Sequence, residues 1–365
     1  MSARRVVILA GDGVGPEVTA VAARVLAAAC AAEGVTIETE QRLIGGAAID
    51  EEGGPLSDAT VAVCRASDAV LLGAVGGPGW DHLRGDQRCE AGLLRMRKEL
   101  GLFANIRPVR VHPALVDRSV VRREVVEGTD LVVVRELTGG AYFGTPKGRE
   151  GSGAEESAVD TTRYTRAEVE RVTRVAFALA ASRRGTLTSV DKANVLATSR
   201  LWRDTVTGLA PEYPAVVLEH QLVDSCAMRL IQAPRSFDVI VTENLFGDIL
   251  TDEAAVLAGS LGALPSASIG SSGPGLYEPI HGSAPDIAGR GLANPVGAIL
   301  SVAMALRMSL GLPAAALAVE RAVDDVIAAG ICTADLGGTA TTEQTGAAVI
   351  AALDGARRAT AGVAS

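Results

Sequence analysis

Short apolar runs alternate along the chain with longer alanine-rich segments whose apolar positions recur at helical spacing. Val6–Ala10 is a continuous apolar run of the kind found in buried strands, and Glu17–Glu33 carries its apolar residues on one helical face. The strand pattern is repeated at Ala69–Leu72, Asp130–Arg135, Leu187–Asp191 and Val239–Thr242. This alternation predicts an α/β fold with substantial parallel sheet.

Two segments depart from the alternation. Thr145–Thr162 is rich in glycine, serine and charged residues, which predicts an exposed loop. The tail from about Asn294 to Ala352 is alanine-rich and predicts almost continuous helix. We recognise neither a charged-then-apolar leader nor an apolar run that approaches the roughly 20 residues of a bilayer span, so we expect no membrane association.

Composition limits the number of domains, the binding partners and the cellular compartment that we expect. A length of 365 residues favours two domains, and the 48% hydrophobic content supplies a large core. The net charge of −9 argues against nucleic-acid binding, although a few arginines in a cleft can still hold a small anion. Five cysteines without CxxC spacing are typical of reduced thiols in the cytoplasm, where we expect the protein.

The stretch ILAGDGVGPEV, Ile8–Val18, reads as a strand followed by a glycine-rich turn and a helix. A Rossmann dinucleotide fingerprint has glycine at its first, third and sixth positions, but the sixth position counted from Gly11 is Pro16. The stretch is therefore either a damaged Rossmann turn or a different way of holding a nicotinamide cofactor.

Paired carboxylates occur in NLFGDILTDEAA. Asp248 and Asp252 are four residues apart in a helical pattern, so they project from one face. Their mutual repulsion is relieved by Mg²⁺ or Mn²⁺, which prefer carboxylate oxygens. A solvated acidic helix face and a pyrophosphate-metal site remain alternatives.

Arginines form a second set of candidates. Arg97 and Arg107 flank a turn, and Arg135 ends an apolar strand. Because guanidinium groups bind carboxylates with two parallel hydrogen bonds, three converging arginines would suit a dicarboxylate substrate. Leu93 and Leu94 lie one helical turn before Arg97 and would place an apolar patch beside it. Alternatively, each arginine is an ordinary ion-paired surface residue.

Two candidates for proton transfer lie near strand ends. Lys192 follows a predicted strand in SVDKANVL and is a candidate general base, whereas Tyr142 stands among glycines in RELTGGAYFG and is a candidate proton donor. The alternatives are a structural lysine and an aromatic plug.

The segment Leu276–Pro295 is rich in glycine and proline and predicts a long shaped loop. Its Asp286 would accept from a ribose diol and so favour NAD over NADP. His281 in the same loop is either a cofactor contact or a loop-stabilising side chain.

Taken in order, eleven segments resemble the β-decarboxylating dehydrogenases of 2-hydroxy acids, the isocitrate/isopropylmalate dehydrogenase family. They are GDGVGPEV, LIGGAAID, LGAVGGPGWD, LFANIRPV, RELTGGAYFG, SVDKANVL, LEHQLVDSCAM, NLFGDILTDEA, GSLGALPSAS, EPIHGSAPDIAG and DLGGTATTEQ. The resemblance implies an α/β fold of two domains with a shared mixed sheet and no Rossmann domain. GDGVGPEV is then an intact motif that lies against the nicotinamide–ribose part of the cofactor.

The resemblance also implies domain roles. Residues 1–102 and 260–365 would form the first domain, which carries the cofactor loops. Residues 103–259 would form the second, with the dimer interface, the metal ligands and an inter-subunit arm at about 140–162. The implied assembly is a homodimer with shared active sites.

The implied reaction is NAD-dependent oxidative decarboxylation of (2R,3S)-3-isopropylmalate to 4-methyl-2-oxovalerate and CO₂ in leucine biosynthesis. Another 3-alkylmalate, tartrate or malate remain alternative substrates. Isocitrate or homoisocitrate would leave a carboxylate unpaired beside apolar side chains. The alternative that is not an enzyme is a non-catalytic paralogue that acts as a regulatory or binding subunit.

The roles that the resemblance implies fall into four groups. The substrate carboxylates would be bound by Arg97, Arg107 and Arg135, and its isopropyl group would be surrounded by Glu90, Leu93, Leu94 and Val195. The metal, Mg²⁺ or Mn²⁺, would be bound by Asp248, Asp252 and the other subunit's Asp224. Proton transfer would be carried out by Lys192, contributed across the interface with Asp224, and by Tyr142. NAD would be held by Glu278, His281, Gly282, Ser283, Ala284, Pro285, Asp286, Ile287 and Asn294.

Overall fold

The computed structural model describes residues 3–363. Its strands are β1 (Arg4–Gly11), β2 (Ile37–Arg42), β3 (Ala69–Ala74), β4 (Ala104–Arg110), β5 (Asp130–Glu136), β6 (Lys147–Glu150), β7 (Ser157–Asp160), β8 (Thr186–Asp191), β9 (Val217–Leu222), β10 (Val239–Thr242), β11 (Pro265–Ile269) and β12 (Gly275–Pro279). Its helices are α1 (Gly15–Ala32), α2 (Gly46–Glu52), α3 (Asp58–Arg65), α4 (Cys89–Glu99), α5 (Arg123–Val126), α6 (Arg166–Ala181), α7 (Ala197–Leu209), α8 (Val223–Gln232), α9 (Asn244–Leu257), α10 (Val296–Met308), α11 (Pro313–Ala328) and α12 (Thr342–Val363). The predicted α/β fold with a mixed sheet is confirmed.

The chain divides into two compact units, and the first contains both ends of the chain, Met1–Leu102 and Ala258–Ser365. Its strands are ordered β2-β1-β3-β12-β11, all parallel except the antiparallel pair β11 and β12. The central strands are apolar on both faces because helices cover the sheet. Leu9, Leu72 and Leu276, from three of these strands, lie in one buried cluster with Met96 of α4.

Helix α1 corrects one expectation from the sequence. With 18 residues and a mean hydropathy of 1.3, it is long and apolar enough to cross a membrane, although we expected no such run. Half of that span is buried inside the protein, where α1 packs against α10, α11 and α12. Glu17 and Arg24 lie within it as well. A helix that is buried against its own unit in this way is a core helix.

The second unit is Phe103–Leu257, with strand order β4-β5-β10-β8-β9. The β4–β5 pair is antiparallel and the other pairs are parallel. Helix α6 begins with a capping box in which Thr165 accepts from the backbone N–H of Glu168, and the Glu168 carboxylate accepts from the backbone N–H of Thr165. These reciprocal bonds satisfy two N–H groups that a helix start leaves free.

Three local predictions need correction. The tail is not one helix but three, because the chain adopts left-handed backbone at Gly311 and Gly330 between α10, α11 and α12. The exposed Thr145–Thr162 segment contains a two-stranded antiparallel hairpin, β6 and β7. The first residues of the predicted Leu276–Pro295 loop belong to strand β12.

Candidate active site

Arg135 lies near the end of β5, where it is opposite Asn105 of β4 and Thr242 of β10. Its side chain is only 4% exposed. Nε donates to the backbone oxygen of Asn244 at 2.9 Å, and one terminal nitrogen donates to Oδ1 of Asn244 at 2.8 Å. The other terminal nitrogen pairs with Oδ1 of Asp248. This buried cation is therefore held by the first two turns of α9, which leaves its orientation fixed.

Gly247 allows α9 to approach Arg135. A Cβ atom at this position would lie 2.6 Å from Cγ and 2.9 Å from Cβ of Arg135, distances that real side chains do not tolerate. The glycine in NLFGD is thus required by close packing on the stem of the arginine, because any larger residue would displace either the helix or the guanidinium.

Tyr142 and Asp248 are 106 residues apart in sequence but share a hydrogen bond. The phenol donates to Oδ2 of Asp248 at 2.5 Å. Burial, this hydrogen bond and the negative charge of Asp248 raise the pKa of Tyr142 above its usual value. Tyr142 is therefore protonated at neutral pH and has a proton to donate.

Arg107 brings the second aspartate of the pair into the same cluster. One terminal nitrogen donates to Oγ1 of Thr251 at 2.9 Å and lies 3.6 Å from Oδ1 of Asp252. Its Nε donates to Oδ1 of Asn105 at 2.7 Å. Arg107 of β4 and Arg135 of β5 therefore lie beside the two aspartates of α9. This arrangement suits an acidic substrate bound next to a metal ion.

The donor set of α9 suits a divalent cation. Asp248 and Asp252 lie one helical turn apart, and the Asp252 side chain is 72% exposed. Carboxylate oxygens are the ligands that Mg²⁺ and Mn²⁺ prefer. Within residues 3–363, no group of three His, Cys, Asp or Glu side chains is gathered around one point in a single chain. The two aspartates therefore fit such an ion as two of its carboxylate ligands.

Lys192 and Asp224 come from two separate motifs, and the structure pairs them. Lys192 follows β8, Asp224 lies in the first turn of α8, and Nζ donates to Oδ1 at 2.5 Å. This hydrogen bond, supported by a backbone N–H, lowers the pKa of the Asp224 carboxyl. The lysine and the carboxylate are held together by this bond at the surface of the second unit.

In the first unit, the GDGVGPEV turn touches the predicted cofactor loop directly. The backbone N–H of Val14 donates to the carbonyl of Ser283 at 2.8 Å. Gly13 has a φ of 58°, and a Cβ atom there would lie 2.0 Å from the same carbonyl oxygen. Glycine is required at this position by both the left-handed backbone and the close approach.

His281 offers an unused hydrogen-bonding atom. Its Nδ1 donates to the carbonyl of Gly282 at 2.8 Å, which leaves Nε2 as an acceptor. Nε2 is buried and finds no hydrogen-bond partner in the part of the chain that the structure describes. Desolvation lowers the pKa of His281, so the ring is neutral at physiological pH. A buried acceptor of this kind fits a nucleotide, whose amino and hydroxyl groups are donors.

The other residues of the predicted cofactor set vary in exposure. Glu278 on β12 is nearly buried and forms an ion pair of 2.8 Å with Arg97, so the structure joins one predicted substrate residue to one predicted cofactor residue. Asn294 is buried, and its Nδ2 donates to Asp335 at 2.9 Å. Exposed positions are Gly282, Pro285 and Asp286, and half-buried ones are Ser283, Ala284 and Ile287.

The apolar candidates differ in availability. Leu93 packs against the buried cluster of the first unit, whereas Leu94 is 38% and Val195 61% exposed. Glu90 is exposed and lies 3.4 Å from Arg88. Leu94 and Val195 are therefore the apolar members of the set that remain open to a ligand.

Three polar residues that shape these clusters are not among the residues predicted from the sequence. Asn244 orients Arg135, and Glu17 accepts from two backbone amides of the predicted cofactor loop. Asp12 accepts from the backbone N–H groups of Gly46, Ala47 and Gly76 at 2.7–2.8 Å. Asp12 and Glu17 lie inside GDGVGPEV, and the glycines on both sides of Asp12 were an available signal for that residue. For Asn244 the signal was its position at the start of a predicted helix.

The fold and the cluster of arginines, aspartates and tyrosine are those of an α/β enzyme that acts on a small acidic molecule. The family model described as isocitrate/isopropylmalate dehydrogenase matches residues 5–349. The chain therefore belongs to the isocitrate/isopropylmalate dehydrogenase family and is a decarboxylating dehydrogenase.

Individual relatives and solved structures support this family assignment. The chain is 59% identical over 338 residues to the 3-isopropylmalate dehydrogenase of Anaeromyxobacter dehalogenans, which covers 93% of this chain and 96% of that one. It is 58% identical over 332 residues to the 3-isopropylmalate dehydrogenase of Geobacillus kaustophilus, covering 91% and 90%. Among solved structures, isocitrate dehydrogenase from Methylococcus capsulatus superposes with a TM-score of 0.85 at 36% identity, covering 96% and 99%. A β-decarboxylating dehydrogenase from Thermococcus kodakarensis gives 0.79 at 38% identity, covering 96% of each chain.

Proposed function

We propose that this chain catalyses the NAD-dependent oxidative decarboxylation of (2R,3S)-3-isopropylmalate to 4-methyl-2-oxovalerate and CO₂, in leucine biosynthesis. The observation that carries the proposal is the cluster in the second unit, where Asp248 and Asp252 lie beside Arg107, Arg135 and Tyr142. Relatives at 58–59% identity carry the name of this activity.

Substrate binding would use the arginines and the apolar side chains. Arg107 and Arg135 are already oriented by hydrogen bonds to Asn105 and Asn244, so little side-chain entropy is lost when they bind carboxylates. Arg97 would complete the clamp. Leu94 and Val195, with Leu93 and Glu90, would surround the alkyl group, and an additional carboxylate would be left there without a hydrogen-bond donor.

Two groups that the chain binds would supply chemistry that its side chains lack. Mg²⁺ or Mn²⁺ would be held by Asp248, Asp252 and the partner's Asp224, and would supply Lewis-acid stabilisation of negative charge on the substrate. NAD would be held by Glu278, His281, Asn294 and the 282–287 segment, and would supply the hydride acceptor.

The chain's own residues would move the protons. Lys192, as a neutral amine beside Asp224, would take the proton of the C2 hydroxyl while hydride leaves C2 to the cofactor, so the alcohol becomes a ketone. The bond from C3 to its carboxylate then breaks, CO₂ leaves, and the electron pair remains on the enolate. Tyr142, which is protonated at neutral pH, would return a proton to C3.

A homodimer with shared sites is the assembly that we propose. Asp224 is 60% exposed in its own chain, as a ligand donated to a neighbouring subunit must be. Exposed apolar side chains follow the same two helices, α8 and α9: Met228, Ile231, Ile249 and Val256. Exposed apolar groups on helices that also carry the metal ligands favour burial in a dimer interface. The hairpin β6–β7 would be the inter-subunit arm, and the enzyme would work in the cytoplasm.

The proposed function is tested by comparing kcat/KM for 3-isopropylmalate, 3-methylmalate, tartrate, malate and isocitrate. We expect 3-isopropylmalate with NAD and Mg²⁺ or Mn²⁺ to be preferred, by at least about tenfold over 3-methylmalate, because each methyl group in an apolar site contributes about 1 kcal/mol or more. NADP should be the poorer cofactor because Asp286 would repel its 2′-phosphate. A preference for isocitrate, or no divalent-dependent NADH formation, contradicts the proposal.

Replacing Tyr142 by phenylalanine should lower kcat by about 10²-fold, since a positioned proton donor contributes about 10²–10⁴-fold. The variant keeps the ring beside Arg135, and Tyr142 is outside the predicted cofactor set, so KM for NAD should stay within about twofold of the wild-type value. Released 4-methyl-2-oxovalerate and NADH are measured separately. Tyr213→Phe, whose ring stacks on Phe177, serves as the matched control. Wild-type turnover by Tyr142→Phe would exclude Tyr142 as the acid.

A further inference from the structure

The carboxylate of Glu17 connects the first turn of α1 to the segment that follows Asp286 and Ile287. Its Oε1 accepts from the backbone N–H of Gly289, and its Oε2 accepts from that of Gly291 at 2.8 Å. We propose that Glu17 is a positioning residue that holds the 281–291 loop in the shape that binds NAD. The inference rests on the proposed cofactor site and assigns a role to a residue outside it.

The loop depends on a few attachments of this kind. Residues 281–291 contain neither helix nor strand, so their amide groups have no regular ladder of hydrogen bonds. The carbonyl of Ser283 accepts from Val14 at 2.8 Å, and that of Gly291 accepts from the backbone N–H of Thr342 at 2.9 Å. Glu17 adds two bonds from α1 to the backbone on the C-terminal side of Asp286, at Gly289 and Gly291.

Charge makes these two bonds stronger than neutral ones. A carboxylate that accepts from two backbone amides forms charge-assisted hydrogen bonds, about twice as strong as bonds between neutral groups. Gly289 and Gly291 have φ values of 74° and 64°, a left-handed backbone that is readily adopted by glycine and equally readily left by it. Without Glu17, this part of the loop would sample several conformations.

The consequence is a change in cofactor affinity. If the binding-competent shape is populated only in part, the apparent Kd rises in inverse proportion to that population. Because Ser283 is attached through Val14 and Gly289 through Glu17, the Asp286–Ile287 segment is fixed on both sides. Loss of one attachment should therefore weaken NAD binding and leave the chemistry of the second unit unchanged.

We would compare Glu17→Ala and Glu17→Gln with the wild-type protein and with Glu343→Ala. Glu343 is also an acid in the first turn of a helix of this unit, but it pairs with Arg24 and not with the loop. The Kd of NADH would be measured by fluorescence titration. Amide hydrogen exchange over residues 284–291 would be measured in the cofactor-free protein, and kcat and KM with saturating NAD.

Glu17→Ala should raise the Kd of NADH about tenfold, equal to about 1.4 kcal/mol, and speed exchange in the loop. Glu17→Gln retains one good acceptor and should fall between the wild type and Glu17→Ala. The kcat at saturating NAD and the KM for 3-isopropylmalate should stay within about twofold of the wild type. The control should resemble the wild type in every measurement.

Unchanged NADH affinity and unchanged exchange in both Glu17 variants would overturn the inference, and so would a loss shared equally by Glu343→Ala. If Glu17→Ala fails to fold, Glu17→Gln decides by the same two measurements. Failure of the wild-type protein to oxidise 3-isopropylmalate would instead contradict the proposed function, and the exchange result would still report whether Glu17 holds the loop.

Discussion

Lys192→Arg should lower kcat by about 10²–10⁴-fold while leaving the Kd of NADH within about twofold of the wild type. General bases contribute a factor of this size, and a guanidinium stays protonated at any pH at which the enzyme is folded. The substitution retains a positive charge for Asp224, whose carboxyl is 2.5 Å from Nζ in the wild type. It therefore removes the base and keeps a nitrogen donor for the Asp224 carboxylate.

The composition of the chain sharpens this test. Lys192 is one of three lysines among 34 basic residues, the others being Lys98 and Lys147, so arginine is used almost everywhere else. Lys98→Arg, on the exposed surface of α4, is the matched control and should retain wild-type kcat. Lys192→Ala should show a loss similar to that of Lys192→Arg. Full activity of Lys192→Arg would mean that position 192 needs only charge, and the assignment of the base would be wrong.

Much of the fold could be predicted because local pattern and tertiary structure agree. Val6–Ala10 lies within β1, Glu17–Glu33 overlaps α1, and Val239–Thr242 is strand β10 without change. Buried parallel strands are apolar on both faces, so each can be recognised in a single sequence as a continuous apolar run. The breaks near Gly311 and Gly330 were missed because alanine favours helix on both sides of them.

The contacts within the candidate site are harder to predict from the sequence than the fold is. Spacing places Asp248 and Asp252 on one face of α9, since helix geometry alone requires it. No spacing argument joins Tyr142 to Asp248, 106 residues away, because that pair depends on how β5 and α9 pack. The resemblance supplied the list of candidates, and the structure supplied the partners: Arg135 with Asn244 and Lys192 with Asp224.

Asp252→Asn should reduce kcat/KM for 3-isopropylmalate by about 10³-fold and move the midpoint of the Mg²⁺ or Mn²⁺ titration to higher concentration. Lewis-acid stabilisation supplies several kcal/mol, and about 1.4 kcal/mol corresponds to each factor of ten. Because the Asp252 side chain is 72% exposed, the change should leave the fold intact. Glu253→Gln is the matched control: it is the next residue, and burial raises the pKa of its carboxyl.

The outcome also bears on the assembly. If sites are shared between subunits, Asp252 and Lys192 of one chain would serve different sites. Mixed dimers of Asp252→Asn with Lys192→Arg would then contain one doubly altered site and one intact site. Refolding the two inactive variants together should restore activity that neither has alone, with NADH formation as the measurement. If the mixture stays inactive although mixed dimers are present, each site is built from a single chain. Wild-type metal dependence in Asp252→Asn would place the cation elsewhere.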